Sequence, residues 1–484
     1  MKRAYYGDDE PIAALATPLG ESALALIRTS GGDEGRNAIA LLAKVFSRPA
    51  ALLSAPGNSI VHGWIVEKTA GGNSGRKKLD EVLVSVYRAP RSFTGEDGAD
   101  ICCHGGIATV RAVMAALKNA GFREALPGEF TFRAFMNGKL DLTAAESVME
   151  LVAAKTGRAR DNALRRLAGA LEKEITAIKA LLVEILAGTE MYLDYSEDEF
   201  LDPDGDEEAG RLPGRKLVEE VVARLRALSE LWRRERIYTE GALAVIAGRP
   251  NAGKSSLFNY LLGEDRSIVT DTPGTTRDWI EALISVQDIP LRLADTAGLR
   301  SPSIEHSEAE RIGINRSLEL LDRADIILYV IDGTAGMTES DREFLSGRKE
   351  AARQPLLVLW NKADLAPQKG DPKGDSHLLA VSAKTGEGIP ALTVSIAGLL
   401  EAASGASGAE GGEAAGPGSS RQKELIDSSL SSVEEALALS DKGEPLDIIA
   451  PLFRSAVNAL GEITGDVYSA DILEVMFSRF CVGK

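Results

Sequence analysis

Residues 248–255 read GRPNAGKS, the spacing G-x-x-x-x-G-K-S, set between an apolar strand-like run and a helical one. Glycines at those positions let backbone N–H groups turn toward phosphate oxygens, and the start of the following helix adds partial positive charge. Asn251, Ala252, Gly253, Lys254, Ser255 and Ser256 are therefore predicted to line a triphosphate, with Lys254 reaching the β- and γ-phosphates. The Ser255 hydroxyl is a candidate ligand for Mg²⁺.

Three later segments suit the same ligand. LRLADTAG ends a strand-like run with Asp295, Thr296, Ala297 and Gly298. There the carboxylate can hold the water shell of magnesium and the Gly298 backbone can bond the γ-phosphate. LVLWNKAD ends another with Asn361, Lys362, Ala363 and Asp364. An Asp carboxylate at that place accepts from the N1–H and N2–H₂ of guanine, donors that adenine does not present, so GTP is expected rather than ATP. Ser382, Ala383 and Lys384, in VSAK, follow a further strand and would contact guanine O6 through the backbone. Thr270, Asp271, Thr272, Pro273, Gly274, Thr275 and Thr276 form a polar switch segment, with Thr276 the expected second magnesium ligand. Leu299 stands where Ras-like GTPases carry the glutamine that orients water, so another group must do that work. Asn251 either helps hold a monovalent cation beside the phosphates or braces its own loop.

These segments need strands whose C-terminal ends meet at one edge, as in a doubly wound α/β sheet between Ala242 and about Leu400. Around it the chain of 484 residues has room for roughly two to four domains. Residues 1–126 alternate strand candidates (SALALIRTS, SIVHGWIVE, EVLVSVYRAP, ADICCHGG) with helical stretches, an α+β pattern. Residues 69–78, TAGGNSGRKK, read as a hairpin loop. Residues 127–240 and 421–484 carry helical periodicity and are predicted to pair as one bundle into which the α/β domain (241–402) is inserted. The Gly/Ser/Ala-rich stretch 403–420 is predicted to be a disordered linker.

The net charge of −17 argues against a mainly electrostatic nucleic-acid binder. Arg158, Arg160, Arg165 and Arg166 form one basic cluster, read as a solvated helix face rather than an RNA site. Cys102, Cys103 and Cys481 make neither a disulfide framework nor a zinc site, so a reducing cytoplasmic setting is the default. Cys102 and Cys103, in a strand-like run, are expected in the core. The N-terminus lacks the apolar segment of a signal peptide and no 18-residue apolar run occurs, so no membrane span is expected.

Beyond these motifs the chain carries ATPLGESALALIRTSG, SFTGEDGADICCHGG (92–106), PGEFTFRAFMNGKLDLTAAESV (127–148), AERIGI (309–314) and the terminal FCVGK (480–484). With them it resembles, over nearly its whole length, the tRNA-modification GTPases of the MnmE (TrmE) family. The resemblance implies an N-terminal domain that dimerises and binds tetrahydrofolate, a helical domain, and an inserted Ras-like P-loop GTPase domain. It implies a homodimer whose G domains pair in a K⁺-dependent way to hydrolyse GTP. Asn251, Thr270, Thr272 and Thr275 would then ligate K⁺, and Glu310 would orient the attacking water in place of Leu299. Without the resemblance Glu310 is a solvated helix-face charge.

By the same carry-over, Arg28, Asp100, Lys139 and Lys484 would bind the folate, 5,10-methylene- or 5-formyl-tetrahydrofolate. Asp100 falls where the family usually has Glu; a carboxylate suits the N–H donors of a pterin edge, but it is one methylene shorter. Cys481 is either a reactive, catalytic thiol near the folate or a small buried apolar residue. Implied partners are the flavoprotein MnmG, FAD-dependent, and tRNA, on which a (carboxymethyl)aminomethyl group would be added at C5 of the wobble uridine. The rivals are a ribosome-assembly GTPase, which predicts a second G domain or a basic RNA-binding module, and a folate-binding scaffold with a regulatory G domain.

Overall fold

The computed structural model describes residues 10–32, 37–68, 76–194, 212, 214–263, 281–295, 319–351, 354–365, 378–405 and 415–483. They divide into two units, one comprising Met1–Met149, Ile175–Lys179 and Val457–Lys484, the other Glu150–Glu174 and Ala180–Ala456. No helix among the described residues is long and apolar enough to cross a membrane.

Alternation builds the first unit's sheet. Its strands are β1 (Ile12–Leu15), β2 (Ser22–Ser30), β3 (Ser59–Lys68), β4 (Arg76–Tyr87), β5 (Gly98–Gly105) and β6 (Arg123–Glu124), in the order β3-β4-β5-β2-β1-β6. In β2, Ala25, Ile27 and Thr29 are buried while Leu24, Leu26 and Arg28 point the other way. The helices Ala38–Lys44 and Ile107–Ala120 contribute Ile39, Leu42, Val110, Val113 and Leu117 to the core on the buried face. Gly121, with φ +116°, ends the second helix in the left-handed region open to glycine. Cys103 lies in this core, but Cys102 is only half-buried, because one step along a strand turns a side chain to the opposite face.

The helix Glu129–Met136 also belongs to this unit and meets the distant helix Ala470–Phe477. Phe132 and Phe477 are set edge to face with ring centroids 5.5 Å apart, and Leu142, Leu473 and Phe480 complete the cluster.

In the second unit the strands are β7 (Ala242–Gly248), β8 (Glu281–Val286), β9 (Ile289–Asp295), β10 (Ile326–Asp332), β11 (Leu356–Asn361) and β12 (Leu378–Ala380). The order is β12-β11-β10-β7-β9-β8, parallel throughout except for β8. Continuous apolar runs such as ALAVIAG and IILYVID arise because both faces are covered. Ala244, Ile246 and Leu328 meet Leu257, Phe258, Ile389 and Leu392 on one side, while Val245, Ile327 and Tyr329 meet Leu320 and Leu321 on the other. Helical segments from before and after this sheet pair: Arg226 in Arg215–Thr239 bonds Glu434 in Ser420–Asp441 at 2.6 Å, and Ser229 bonds Asp427 at 3.0 Å.

Two expectations change here. Arg166 is not a solvated residue: it is fully buried, donating to Glu150 at 2.8 Å, Glu235 at 3.4 Å and the Gly416 carbonyl at 3.3 Å. Arg158 lies over the Tyr238 ring, 3.8 Å from its centroid, and bonds its hydroxyl at 2.7 Å. Two carboxylates and an aromatic face draw these guanidinium groups in. The second change is that Ala415–Gly418, inside the stretch predicted to be disordered, is buried. A Cβ on Gly418 would sit 2.0 Å from a Glu150 oxygen, so glycine there permits close approach rather than mobility.

Burial pushes the Glu235 carboxyl above its usual range, against the pull of Arg166. Replacing the buried Arg166 by Met is expected to remove the main counter-charge of two half-buried carboxylates and to cost about 3 kcal/mol. Urea unfolding measures this, and an unchanged midpoint would contradict the account.

Candidate functional site

β7 delivers the chain into the loop Arg249–Gly253, and the helix Lys254–Gly263 leaves it. Gly248, Asn251 and Gly253 hold φ of +138°, +64° and +95°, which curl the loop around its own N–H groups. The Lys254 ammonium sits within that curl, donating to the carbonyls of Gly248 at 2.9 Å and Arg249 at 2.8 Å. At the neighbouring strand end, Asp295 of β9 accepts from the Ser255 hydroxyl at 2.9 Å. An alcohol and a carboxylate side by side at a helix start are hard oxygen donors that fit a magnesium ion.

The base-side segment is tied directly to this loop. The Asn361 amide donates to the Ala252 carbonyl at 2.9 Å, and its oxygen accepts from the Ala383 backbone at 3.1 Å. One buried side chain at the end of β11 thus joins the phosphate loop to the segment after β12. The fit is close: a Cβ on Gly253 would lie 2.1 Å from the Asn361 amide nitrogen. Asp364 accepts from the Ser382 hydroxyl at 2.7 Å, and the same hydroxyl accepts from the Lys384 backbone at 3.3 Å. Ser256 lies in the first turn of the helix, and the Ala363 N–H donates to the Val381 carbonyl at 3.1 Å. Asn251, Ala252, Gly253, Lys254, Ser255, Asp295, Asn361, Lys362, Asp364, Ser382, Ala383 and Lys384 therefore converge at one edge of the sheet. Thr270, Asp271, Thr272, Pro273, Gly274, Thr275, Thr276, Thr296, Ala297, Gly298 and Glu310 lie outside the described residues, as does Leu299.

Sequence reasoning did not single out two acids behind the loop. Asp332, the last residue of β10, accepts from Lys362 at 2.6 Å. Burial works to raise its pKa, but hydrogen bonds from Lys362 and Thr334 outweigh it and hold the carboxyl at about 2. Asp341, fully buried, bonds Tyr329 at 2.9 Å and Thr338 at 2.7 Å and pairs with Arg249 of the loop at 3.3 Å. An acid closing an apolar strand just before Gly-Thr was the available signal for Asp332.

The folate candidates lie in the other unit and form their own cluster. Arg28 of β2 and Asp100 of β5 are cross-strand neighbours, joined by two hydrogen bonds of 3.0 and 3.2 Å. Both groups are partly accessible. Phe93 lies 5.8 Å from the Arg28 guanidinium, and burial, with Asp100 beside it, raises the pKa of the Tyr87 hydroxyl. A paired guanidinium and carboxylate next to an aromatic ring are a donor set that fits a pterin. Lys139 points to the Pro90 carbonyl at 3.1 Å, on the loop that follows β4.

That loop is locked from beneath. Glu96 accepts from Ser30 at 2.9 Å and from the buried Arg133 at 3.1 Å, and Arg133 also bonds the fully buried Glu129 at 2.9 Å. The C-terminal tail reaches the same region: the Gly128 N–H donates to the Cys481 carbonyl at 3.3 Å, and Arg28 donates to the Gly483 carbonyl at 3.5 Å. Cys481 is exposed rather than buried. Lys484 lies outside the described residues.

Comparison with known proteins identifies the family. The family described as GTP-binding protein TrmE N-terminus matches residues 11–139, and the MnmE helical domain family matches residues 142–481. The chain is 41% identical to the tRNA modification GTPase MnmE of Treponema denticola, with all of both chains covered. It is 37% identical to that of Treponema pallidum over the full length of both. With that of Carboxydothermus hydrogenoformans it shares 38% identity over 98% of this chain and all of the other. The chain belongs to the MnmE family of tRNA modification GTPases.

Proposed function

We propose that this protein is a K⁺-dependent GTPase, activated when the G domains of a homodimer meet. With the FAD-dependent partner MnmG it would add a (carboxymethyl)aminomethyl group at C5 of the wobble uridine of tRNA, using a tetrahydrofolate one-carbon donor. The observation that carries the GTPase part is the Asn361 bridge, which sets the base-reading segments and the phosphate loop at one strand edge.

Within this reading, Lys254 exchanges its loop carbonyls for the β- and γ-phosphate oxygens when nucleotide enters. Ser255, with Thr276, holds Mg²⁺, while Asp295 accepts from its water shell; bound there, the ion neutralises charge that develops on the phosphates. Asp364 accepts from the guanine N–H edge, with Ser382 fixing its carboxylate. Asn251, Thr270, Thr272 and Thr275 are the K⁺ candidates, and Glu310 is the candidate to orient water. Arg28 and Asp100 would hold the pterin, Lys139 and Lys484 the remaining polar groups of the folate, and Cys481 supplies an accessible thiol beside them.

With a net charge of −17, the protein would take much of its tRNA affinity from the partner rather than from its own field. A cytoplasmic location fits both partners.

GTP hydrolysis is expected to run roughly tenfold or more faster in KCl than in NaCl, because a dehydrated cation beside the phosphates acts as a fixed positive group; equal rates would remove the potassium role. Arg28→Ala should weaken 5-formyltetrahydrofolate binding by about 10- to 100-fold in calorimetry, and an unchanged affinity would mean the folate lies elsewhere. Nucleoside analysis of tRNA from cells lacking the protein should show an unmodified wobble uridine. A normal profile there would leave only the GTPase.

A further inference from the structure

Two residues with side chains adopt left-handed backbone at the nucleotide edge, and they meet. Asn251 in the phosphate loop has φ +64° and Lys362 after β11 has φ +65°. The Lys362 ammonium donates to the Asn251 carbonyl at 3.2 Å. Backbone in that region persists only where its surroundings hold it. Lys362 in turn is held by Asp332, whose Oδ2 accepts from Nζ at 2.6 Å. The other oxygen of Asp332 is fixed by the Thr334 N–H at 2.9 Å and the Thr334 hydroxyl at 2.6 Å. The turn is pinned to the base-side strand as well, through the Gly333 N–H on the Asn361 carbonyl at 2.8 Å.

We propose that Asp332 is a positioning residue for hydrolysis: by accepting from Lys362 it keeps that ammonium as a strut on the Asn251 carbonyl, fixing the part of the phosphate loop that meets the γ-phosphate and the monovalent cation. This rests on the reading given above of Asn251 as lining the triphosphate and helping to hold that cation. The charge matters as much as the geometry. An ammonium paired with a carboxylate stays on the carbonyl it supports, whereas an unpaired one beside a triphosphate is drawn to the ligand. Removing the charge of Asp332 therefore frees Lys362 to add to nucleotide binding while Asn251 loses its support. Ground-state affinity is kept and transition-state alignment is lost.

The test is Asp332→Asn, with Thr334→Ala as a second variant that keeps the ion pair and removes one bond orienting it. Steady-state GTP hydrolysis at saturating KCl and GDP affinity by calorimetry are measured for both on the full chain. For Asp332→Asn, kcat is expected to fall about tenfold while the Kd for GDP stays within about twofold of the parent. Thr334→Ala should show the same split with a fall of roughly threefold. An unchanged kcat in both variants, or a loss of GDP affinity equal to the loss in kcat, overturns the proposal; if Asp332→Asn fails to fold, Thr334→Ala decides alone. Because the split is read in one buffer, its absence counts against Asp332 whatever the comparison of KCl with NaCl shows.

Discussion

The nucleotide edge depends on one buried amide. Asn361 offers a donor and an acceptor on a planar group, and it uses both at once, on Ala252 and Ala383. No residue with only donors or only acceptors could make that bridge. The glycine at 253 exists in the same space, because a side chain there would occupy the position of the amide. The glycine loop after β7 and the segments after β11 and β12 are thus mechanically one assembly. The parallel sheet supplies the precondition, since only parallel strands bring β7, β9, β11 and β12 to the same edge with their C-terminal ends aligned.

The two units solve the burial of charge in the same way. In the first, Arg133 and Glu129 are both sequestered and hold Glu96 under the loop beside Arg28. In the second, Arg166 gathers Glu150, Glu235 and the Gly416 carbonyl. A guanidinium has five donors in a fixed plane, so one side chain can meet several partners from different segments at once. Such centres contribute little net stability over an apolar core, but they cost heavily when one partner is removed. Their value lies in specifying which segments meet.

Much of the second unit's sheet and nucleotide edge was legible in the sequence, because glycine loops, strand-terminal acids and continuous apolar runs have local causes. The strand candidate SALALIRTS coincides with β2. What escaped was whatever depends on partners far along the chain. Arg166 looks like surface charge until Glu150, Glu235 and Gly416 are placed around it. Gly416 and Gly418 read as flexible by composition, although in the fold they are points of close approach. Cys102 and Cys103 differ only in which face of the sheet they occupy, and a two-residue window cannot tell them apart. Asp332 gave a weak signal, since an acid at a strand end is common and its meaning comes from Lys362.

The contacts made by the tail carry a consequence for biosynthesis. Phe477 and Phe480 complete the cluster around Phe132, and the Gly483 carbonyl lies against Arg28, separated from it by 455 positions in sequence. Strands β1 to β6 can pair as soon as the first stretch of chain has left the ribosome. The cluster and the floor beside Arg28 cannot close until almost everything else has been translated. Strands β7 to β12, which lie within one stretch of the chain, are made and can pair during that interval. A truncated product or a stalled ribosome would therefore yield a chain whose second sheet can form while the region beside Arg28 is left open. Translation itself thus imposes the order in which the two regions close.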